Sequence, residues 1–412
     1  MAKNKKVVLA YSGGLDTSVV IKWLTEKGYE VYALMVDVGQ GGDLKEAGNK
    51  ALKIGAKEVY LVDAKKEFIS DFVWPALKAN TKYQGKYALA TALSRPLIGK
   101  LLASKATEIG ASYIAHGSTG KGNDQVRIEL AATAHAPDVE ILAPVRDWDM
   151  SRTQELDYAK KHGIEVEASK KKPYSIDQNL WGRSIECGVL EDPWVEPPAD
   201  AFSWTKAPEV AKEKHDYLNI VFKGGVPTAL DEKKLAPVDL VKELNSFAGK
   251  HGVGRIDMVE DRLVGIKSRE IYEQPAASVL LTAHSELESL VLEKQLLNFK
   301  QMVDAEYSRL IYNGQWYSPL KDGLSAFIEN TQNLVHGTIR MKFYKGNAWV
   351  VGRFSDNSLY DKDLATYGGD SNFDESAAKG FIDIYGMGLK TWSKKKGKMK
   401  PGSCSCDQGE CK

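Results

Sequence analysis

Hydrophobic and polar positions in the N-terminal part of the chain alternate between the period of a strand and the period of a helix. Residues 6–11 (KVVLAY) are continuously apolar and rich in β-branched side chains, which predicts a buried parallel strand. The residues that follow have helical periodicity, with Asp16 as the predicted N-cap and Gly28 as the end of the helix. The alternation continues with strands predicted at 30–36, 58–64, 111–117 and 140–145 and helices between them.

Strands and helices at this spacing predict β-α-β crossovers, and therefore a parallel sheet with helices on both faces. We predict the fold class α/β, with a nucleotide-binding domain over residues 1–165. Ligands of such sheets bind at the carboxyl ends of the strands. Two glycine-rich segments, loop 1 (residues 12–18, SGGLDTS) and loop 2 (residues 116–124, HGSTGKGND), each follow a predicted strand. The sequence therefore predicts that both loops share one site.

The second half of the chain has a different pattern. Residues 166–216 lack periodicity but are rich in Pro and Trp, which favours an ordered, functional segment. The residues after this segment predict a separate α+β substrate domain. With the irregular segment included, the predicted domain spans 166–373. Its predicted elements are hairpins at 218–230 and at 338–354 (turning at Gly346-Asn347) and helices at 237–252 and 276–311.

The C-terminal residues form two further segments. Residues 374–393 predict a helix whose apolar face is too large for a lone extension, so we expect an oligomerisation helix that docks on another subunit. Residues 394–412 combine lysines, glycines and a proline and predict a solvated, disordered tail. Cys404, Cys406 and Cys411 lie in this tail; a soft-metal or redox role is the alternative, but three thiols lack a fourth ligand.

The composition argues against some classes of function and some cellular compartments. The 412 residues carry a formal net charge of only +1, which argues against a nucleic acid as the main ligand. The N-terminal apolar run is shorter than the core of a signal peptide, and no segment approaches the roughly 18 apolar residues of a membrane span. Four cysteines give no disulfide framework in a chain of this size. We expect a cytoplasmic protein without nucleic-acid or membrane partners.

Loop 1 has the chemistry of an anion site. Its glycines let backbone N–H groups close on an anion, the helix that follows contributes partial positive charge, and the hydroxyls add donors. The loop lacks the lysine of a Walker motif and the spacing of a dinucleotide fingerprint, so γ-phosphoryl transfer and dinucleotide binding are less favoured. A Gly-Gly turn with a polar cap and no ligand is the alternative.

SGGLDTS resembles the pyrophosphate-binding loop of the ATP pyrophosphatases, the PP-loop superfamily, which cleaves ATP between its α and β phosphates. The resemblance implies that loop 1 holds the departing pyrophosphate and leaves the α-phosphorus open to attack. The ATP contacts that it implies are Ala10, Tyr11, Ser12, Gly13, Gly14, Leu15, Asp16, Thr17, Ser18, Val36 and Gly117.

With loop 2 and three further segments, the resemblance narrows to the argininosuccinate synthases and covers nearly the whole chain. The segments are 171–184 (KKPYSIDQNLWGRS), 249–262 (GKHGVGRIDMVEDR) and 267–276 (KSREIYEQPA). The resemblance implies an AMP-forming ligase of arginine biosynthesis that joins citrulline to aspartate through a citrullyl-adenylate. It also implies a homotetramer, and Mg²⁺ held by phosphates and water with no protein metal site.

The resemblance also implies substrate contacts. An α-amino acid needs an anion for its ammonium, which Glu260 offers, and donors for its carboxylate, which the forked guanidinium of Arg127 offers. Catalytic roles are expected for Ser12, Asp16, Lys121 and Arg127. The expected citrulline contacts are Tyr87, Thr91, Asn123, Arg127, Ser175, Ser184, Glu260 and Tyr272, and the expected aspartate contacts are Thr119, Asn123 and Asp124.

Several of these residues have a plainer interpretation. Tyr87 and Tyr272 are also compatible with core aromatics, and Glu260 with a surface charge. The chain has Ala92 where the family often has a serine, so Thr91 or a backbone group must supply that contact.

Two other functions compete with the ligase. A tRNA-thiolating ATP pyrophosphatase would carry a basic face and catalytic cysteines near the nucleotide, whereas Cys187 is the lone cysteine outside the tail. A nucleotide-sensing module without catalysis would have no use for two substrate loops.

Overall fold

The computed structural model describes residues 4–148, 150–165, 174–367 and 372–396. The chain divides into two compact units, Met1–Leu359 and Tyr360–Lys412. The domain boundaries predicted at residues 165 and 373 stay predictions. Cys404, Cys406 and Cys411, and with them most of the predicted tail, lie outside the described residues.

A parallel sheet forms the N-terminal part of the first unit. Its strands are β1 (Lys6–Ala10), β2 (Glu30–Asp37), β3 (Glu58–Asp63), β4 (Tyr113–Ala115) and β5 (Glu140–Leu142). The strand order is β3-β2-β1-β4-β5, and all neighbours are parallel. The direction of the crossovers reverses between β1 and β4, which is where sheets of this kind bind ligands. The predicted α/β fold class is confirmed.

Helices cover both faces of this sheet. They are α1 (Leu15–Glu26), α2 (Leu44–Ile54), α3 (Lys65–Glu67), α4 (Trp74–Lys78), α5 (Ala90–Ile109), α6 (Asp124–His135), α7 (Pro144–Asp147) and α8 (Arg152–Lys161), with a π-helical segment, Phe68–Val73, between α3 and α4. Val7 and Leu9 of β1 pack with α1, whereas Val8 packs with α5 on the opposite face. Because alternate residues of a strand point to opposite faces, the buried centre of this one strand contributes to two cores.

Two details of this region differ from the sequence predictions. The N-cap of α1 is Gly14, and Asp16 lies in the first turn, so the prediction of Asp16 as the N-cap is wrong. Gly14 has an extended conformation, and its C=O accepts the Ser18 N–H at 3.1 Å. Helix α5 was not predicted. Its own apolar residues are spread around the whole helix and form no single apolar face, and Pro96 interrupts the helical pattern.

The remainder of the first unit mixes antiparallel strands with helices, as predicted. The strands are β6 (Ser175–Asn179), β7 (Gly182–Glu186), β8 (Asp216–Lys223), β9 (Val226–Leu230), β10 (Lys233–Lys234), β11 (Arg255–Asp261), β12 (Lys267–Glu273), β13 (Gly337–Tyr344) and β14 (Asn347–Phe354). They form two sheets, with the orders β11-β12-β7-β6 and β10-β9-β8-β13-β14. The helices are α9 (Pro237–Lys250), α10 (Pro275–Val291), α11 (Lys294–Tyr312) and α12 (Pro319–Thr331).

Local chemistry sets element boundaries that the pattern missed. The helix predicted over 276–311 is two helices, because the side chain of Glu293 accepts the N–H groups of Gln295 and Leu296 and so starts α11. The turn of the last hairpin is Lys345-Gly346, one residue earlier than predicted, and both residues have positive φ.

The second unit contains α13 (Lys362–Ala365), α14 (Glu375–Tyr385) and α15 (Met387–Lys396). The single predicted terminal helix is therefore two helices, with Gly386 between them. Large apolar side chains stay exposed on this pair, namely Phe381, Ile382, Ile384, Tyr385, Met387, Leu389 and Trp392. Among the helices of the described ranges, none combines the length and apolarity of a membrane span.

Candidate active site

The two glycine-rich loops meet at the carboxyl edge of the parallel sheet. Loop 1 follows β1 and loop 2 follows β4, and these strands are neighbours. A Cβ placed on Gly117 would lie 2.8 Å from Cγ2 of Thr17. The contact between the loops therefore requires a glycine at this position, and the loops share one site as the sequence predicts.

Hydroxyl groups and the start of α1 shape loop 1. The hydroxyls of Ser12 and Thr17 lie 3.1 Å apart, and the Gly14 N–H donates to Ser12 Oγ at 3.3 Å. Gly13 has a φ of +83°, which L side chains rarely adopt. The first N–H groups of α1 have no acceptor within the helix and point out of its end. Such an end is suited to an anion.

A cavity of about 250 Å³ lies beside the two loops. Among the predicted ATP contacts, six line it, namely Ala10, Tyr11, Ser12, Thr17, Val36 and Gly117. The other five, Gly13, Gly14, Leu15, Asp16 and Ser18, are not in its lining. The Leu15 side chain packs in a small core with Ala159 and Ile164, and the Ser18 hydroxyl lies 3.2 Å from that of Tyr11. These two side chains therefore support loop 1 from within the protein.

The sheet β11-β12-β7-β6 places further candidates on one face. Tyr272 pairs with Ser184, and Ser184 pairs with Asp177, so these residues form a row across three strands. Directly paired residues, and residues two apart on a strand, point to the same face. The register therefore puts Ser175 and Glu260 on the face that carries this row.

Glu260 is a buried carboxylate held by two tyrosines. Glu260 is only 3% exposed, which excludes its interpretation as a surface charge. Tyr272 Oη donates to Glu260 Oε2 and Tyr312 Oη donates to Oε1, each at 2.7 Å. Each carboxylate oxygen retains further acceptor capacity, so the group can still bind a cation.

Tyr87 and Tyr272 are buried, and they belong to this same cluster. Their rings are stacked, with centroids 4.0 Å apart. The hydroxyls of Tyr87 and Thr91 are 2.7 Å apart, and the Thr91 N–H donates to Tyr87 Oη at 2.9 Å. Ala92 is fully buried. The hydroxyl beside Tyr87 is thus that of Thr91.

Arg127 is anchored through two nitrogens of its guanidinium, and the third nitrogen has no partner among the described residues. Its Nε donates to the backbone C=O of Tyr312 at 3.0 Å, and Nη1 lies 3.3 Å from Asp124 Oδ1. Nη2 is buried and has no partner among the residues that the structure describes. A buried donor of this kind costs free energy unless a ligand satisfies it.

A charged cluster links loop 2 to the row on the antiparallel sheet. Arg95 donates to Asp124 Oδ2 through Nε at 2.9 Å and through Nη2 at 2.8 Å, and it also pairs with Asp177. Burial opposes the charge of Asp124, but Arg95 and Arg127 lower its pKa. Burial raises the pKa of Asp177 more than Arg95 lowers it. Asp124 is therefore held as an anion between two guanidinium groups.

The remaining candidates lie at the edges of the site. Thr119, Lys121 and Ser175 are exposed. Ser184 is half-buried, and its hydroxyl donates to the C=O of Asp177 at 3.3 Å. Asn123 links loop 2 to the rest of the site through hydrogen bonds with Tyr312 and Leu263.

Sequence reasoning missed four residues that the structure places here: Lys50, Arg95, Asp177 and Tyr312. Lys50 Nζ donates to the C=O of Gly13 at 3.2 Å from helix α2. Asp177 stands in the segment 171–184 of the resemblance, and Arg95 stands in a mostly apolar run at 88–99 (ALATALSRPLIG), where an arginine is a signal for a buried charge. Tyr312 gives no such signal, since an aromatic residue on a helix face is usually core.

Within the described residues, no group of three or more His, Cys, Asp or Glu side chains has the geometry of a metal site. The donors at the loops are hydroxyl and N–H groups, which suit phosphate oxygens better than a cation. A cation that accompanies phosphates would therefore be held mainly by them and by water.

Comparisons with known proteins give a consistent family. A family model described as the arginosuccinate synthase N-terminal HUP domain matches residues 6–165, and one described as the arginosuccinate synthase C-terminal domain matches residues 174–392. A relative named argininosuccinate synthase from Rubrobacter xylanophilus is 56% identical over 95% of this chain and 96% of its own length. A relative of the same name from Bacillus pumilus is 55% identical over 95% of this chain and 97% of its own length. Another, from Dehalococcoides mccartyi, is 54% identical over 94% of this chain and 96% of its own length.

Proposed function

The chain belongs to the argininosuccinate synthase family, and from this premise we propose that it condenses L-citrulline with L-aspartate at the expense of ATP. The products are argininosuccinate, AMP and pyrophosphate. The observation that carries the proposal is the placement of Glu260 and of Arg127, whose Nη2 has no partner among the described residues, next to the same residue, Tyr312. Tyr312 contacts both groups, so a buried anion and a buried unsatisfied donor lie on either side of one residue. An α-amino acid needs this pair of charges.

For ATP, we propose that loop 1 binds the β and γ phosphates through the Ser12 and Thr17 hydroxyls and the N–H groups at the start of α1. Val36 and Gly117 line the adjacent cavity, which suits the nucleoside. Asp16 and Lys121 flank the phosphates in this proposal. Lys121 is exposed on loop 2 and suits a mobile point charge. Mg²⁺ on the phosphates would neutralise their charge.

For citrulline, Glu260 takes the α-ammonium and Arg127 Nη2 takes the α-carboxylate. The Tyr87 and Thr91 hydroxyls and the face with Ser175, Ser184 and Tyr272 surround the side chain. For aspartate, we propose Thr119, Asn123 and Asp124 of loop 2. Asp124 carries a negative charge, and its oxygens keep acceptor capacity beyond their bonds to Arg95 and Arg127, so it can accept from an ammonium group.

The chemistry then requires positioning and charge stabilisation more than acid–base groups. The ureido oxygen of citrulline attacks the α-phosphorus, and the bond to pyrophosphate breaks. The aspartate amine next attacks the ureido carbon of the citrullyl-adenylate, and AMP leaves with the oxygen. Both steps take place where loop 1, loop 2 and the antiparallel sheet meet.

We also propose a cytoplasmic homotetramer. The exposed apolar side chains of α14 and α15 support the assembly, since a large exposed apolar surface usually marks an interface. The absence of a disulfide framework from the sequence supports the compartment.

A product assay tests the reaction. Purified protein, ATP, Mg²⁺, citrulline and aspartate are incubated, each omitted in turn, and nucleotides and amino acids are followed by mass spectrometry. We expect AMP, pyrophosphate and argininosuccinate only when all are present. ADP in place of AMP would contradict the role of loop 1, and AMP without argininosuccinate would contradict the substrates and favour another acceptor, tRNA included.

An isotope experiment tests the adenylate. Citrulline labelled with ¹⁸O at the ureido oxygen should pass the label to AMP, because that oxygen forms the bond to the α-phosphorus. Unlabelled AMP alongside normal yields of argininosuccinate would exclude this route.

A further inference from the structure

Tyr312 is the last residue of α11 and is almost completely buried at the centre of the site. Its ring is stacked on Tyr83, with centroids 3.4 Å apart and planes inclined by 6°. The Tyr83 hydroxyl donates to the C=O of Asp261 at 2.7 Å. The stack on Tyr83 therefore helps to hold the ring of Tyr312, and the Tyr312 hydroxyl makes specific contacts of its own.

The Tyr312 hydroxyl stands in a chain of hydrogen bonds that has one direction. The Leu263 N–H donates to Asn123 Oδ1 at 2.8 Å, which leaves the NH₂ group of Asn123 to face Tyr312. That group donates to Tyr312 Oη at 2.9 Å, and Tyr312 Oη donates to Glu260 at 2.7 Å. A hydroxyl has one proton and acceptor lone pairs, so Tyr312 gives its proton to Glu260 and accepts from Asn123 through a lone pair.

The hydroxyl keeps its proton under ordinary conditions. Burial raises the pKa of Tyr312, and the charge of Glu260 raises it further. Burial, the stacked Tyr87 and the charge of Glu260 likewise raise the pKa of Tyr272. Both tyrosines therefore stay donors, and the orientation of the Glu260 carboxylate is fixed at both oxygens.

The backbone at the end of α11 also touches helix α6. The C=O of Tyr312 accepts from Arg127 Nε at 3.0 Å. A Cβ on Gly314 would lie 2.9 Å from the Cα of Arg127, so the turn after Tyr312 packs directly against α6. Tyr312 thus contacts Asn123, Arg127 and Glu260, and each of them is assigned to a substrate in the proposed function.

We propose that Tyr312 is a positioning residue whose hydroxyl ties the citrulline-binding carboxylate of Glu260 to the Asn123 amide on the aspartate side, so that the two amino-acid sites are ordered together. The inference rests on the proposed function. Citrulline on Glu260 polarises Tyr312 Oη, and the change reaches Asn123 without any movement of the backbone. The residue acts through its two neighbours and needs no contact with a reacting atom.

The test is Tyr312→Phe, which keeps the ring, its stack on Tyr83 and the backbone contact with Arg127. The matched control is Tyr307→Phe on the same helix, which removes a buried hydroxyl that faces Ser325 at 3.1 Å. Loss of one hydrogen bond to a buried carboxylate should raise KM for citrulline at least tenfold. KM for aspartate should rise at least threefold, while KM for ATP stays within twofold and kcat changes less than KM. The control should leave all three KM values within twofold.

Three outcomes would overturn the inference. They are unchanged KM values for both amino acids, equal losses in Tyr312→Phe and Tyr307→Phe, or a rise in KM for ATP that matches the rise for citrulline. If Tyr312→Phe does not fold, 3-fluorotyrosine at position 312 keeps the hydroxyl but makes it a stronger donor. It should then shift KM for citrulline at least twofold, whereas 3-fluorotyrosine at position 307 should not; equal values at both positions would contradict the role. A wild-type protein that forms no argininosuccinate contradicts the proposed function itself, and this result is read before any variant.

Discussion

At the scale of single residues, Arg127 combines anchoring with an open donor. Two of its nitrogens are held by Tyr312 and Asp124, so the guanidinium is oriented before any ligand arrives. Its Nη2 is buried without a partner among the described residues. Preorganisation of this kind reduces the entropy that binding must overcome.

We predict that Arg127→Lys raises KM for citrulline by roughly 10- to 100-fold, because an ammonium cannot reach Tyr312, Asp124 and a carboxylate at once. Steady-state kinetics with citrulline as the varied substrate measure the effect. The control is Arg309→Lys on α11, whose exposed guanidinium pairs with Glu306. An unchanged KM in Arg127→Lys would remove Arg127 from the citrulline site.

A second group of buried charges lies outside the site. Lys300 is fully buried, with Nζ 2.9 Å from Asp304 and 3.1 Å from Glu288. Burial raises the pKa of Asp304 to about 7 from the ordinary 3.8, and Lys300 lowers it by less. A carboxyl with a raised pKa binds its proton more tightly in the folded state. Its contribution to stability is therefore complete below about pH 4 and is lost as the pH rises through about 7.

We predict that Asp304→Asn removes this loss, since asparagine stays neutral at every pH. Between pH 5 and pH 7, the stability of the variant relative to the wild type should improve by on the order of 2 kcal/mol. Urea denaturation at both pH values measures the difference in the free energy of unfolding. A relative stability that stays constant, or changes in the opposite direction, would contradict the raised pKa.

At the scale of elements, the contact between α5 and α6 depends on a glycine. A Cβ on Gly99 would lie 2.6 Å from Cβ of Ala131 and 2.8 Å from the C=O of Ile128. Helix α5 carries Thr91 and Arg95, and α6 carries Asp124 and Arg127. The close approach of these two helices therefore sets the distances within the site.

We predict that Gly99→Ala lowers the free energy of unfolding by about 1–3 kcal/mol, because the added methyl group overpacks the contact. It should also lower kcat/KM, since α6 must shift. Gly323→Ala on α12 is the matched control: its Cβ meets open space, and alanine in a helix should stabilise by about 0.5–1 kcal/mol. Thermal unfolding compares the two; equal effects of the two variants would contradict the packing argument.

At the scale of the whole molecule, the second unit has an apolar surface that a single chain leaves exposed to water. Ile382 is 65% exposed and Leu389 is 70% exposed. Monomeric proteins rarely leave such a surface open to water.

We predict that Ile382→Asp converts the proposed tetramer into smaller species, because a buried charge without a partner opposes assembly. Light scattering coupled to size-exclusion chromatography measures the mass. Thr391→Asp on the adjacent helix, with the same change in charge at an exposed polar position, should leave the mass unchanged. A tetramer that survives Ile382→Asp would show that this surface is not the interface.

The sequence by itself determined the fold class and the place of the two loops. A continuously apolar strand, a helix that ends at glycine and their repetition are local patterns, and a parallel sheet follows from them by the handedness and spacing of crossovers. The chemistry of loop 1 is equally local, since its glycines and hydroxyls are consecutive. The local pattern fails to predict where a helix begins when a cap sets its start, as Gly14 does for α1 and Glu293 for α11.

Only the tertiary structure decided which distant residues form ion pairs and hydrogen bonds with one another. Tyr312 and Glu260 lie 52 positions apart, and Arg95 and Asp177 lie 82 apart. No periodicity records such a contact, because it depends on how α11 and the antiparallel sheet pack against the loops. The stack on Tyr83 helps to hold the ring of Tyr312, and the N–H of Leu263 sets the direction of its hydrogen bonds. The sequence supplies these donors and acceptors, but packing alone brings them within reach of one another.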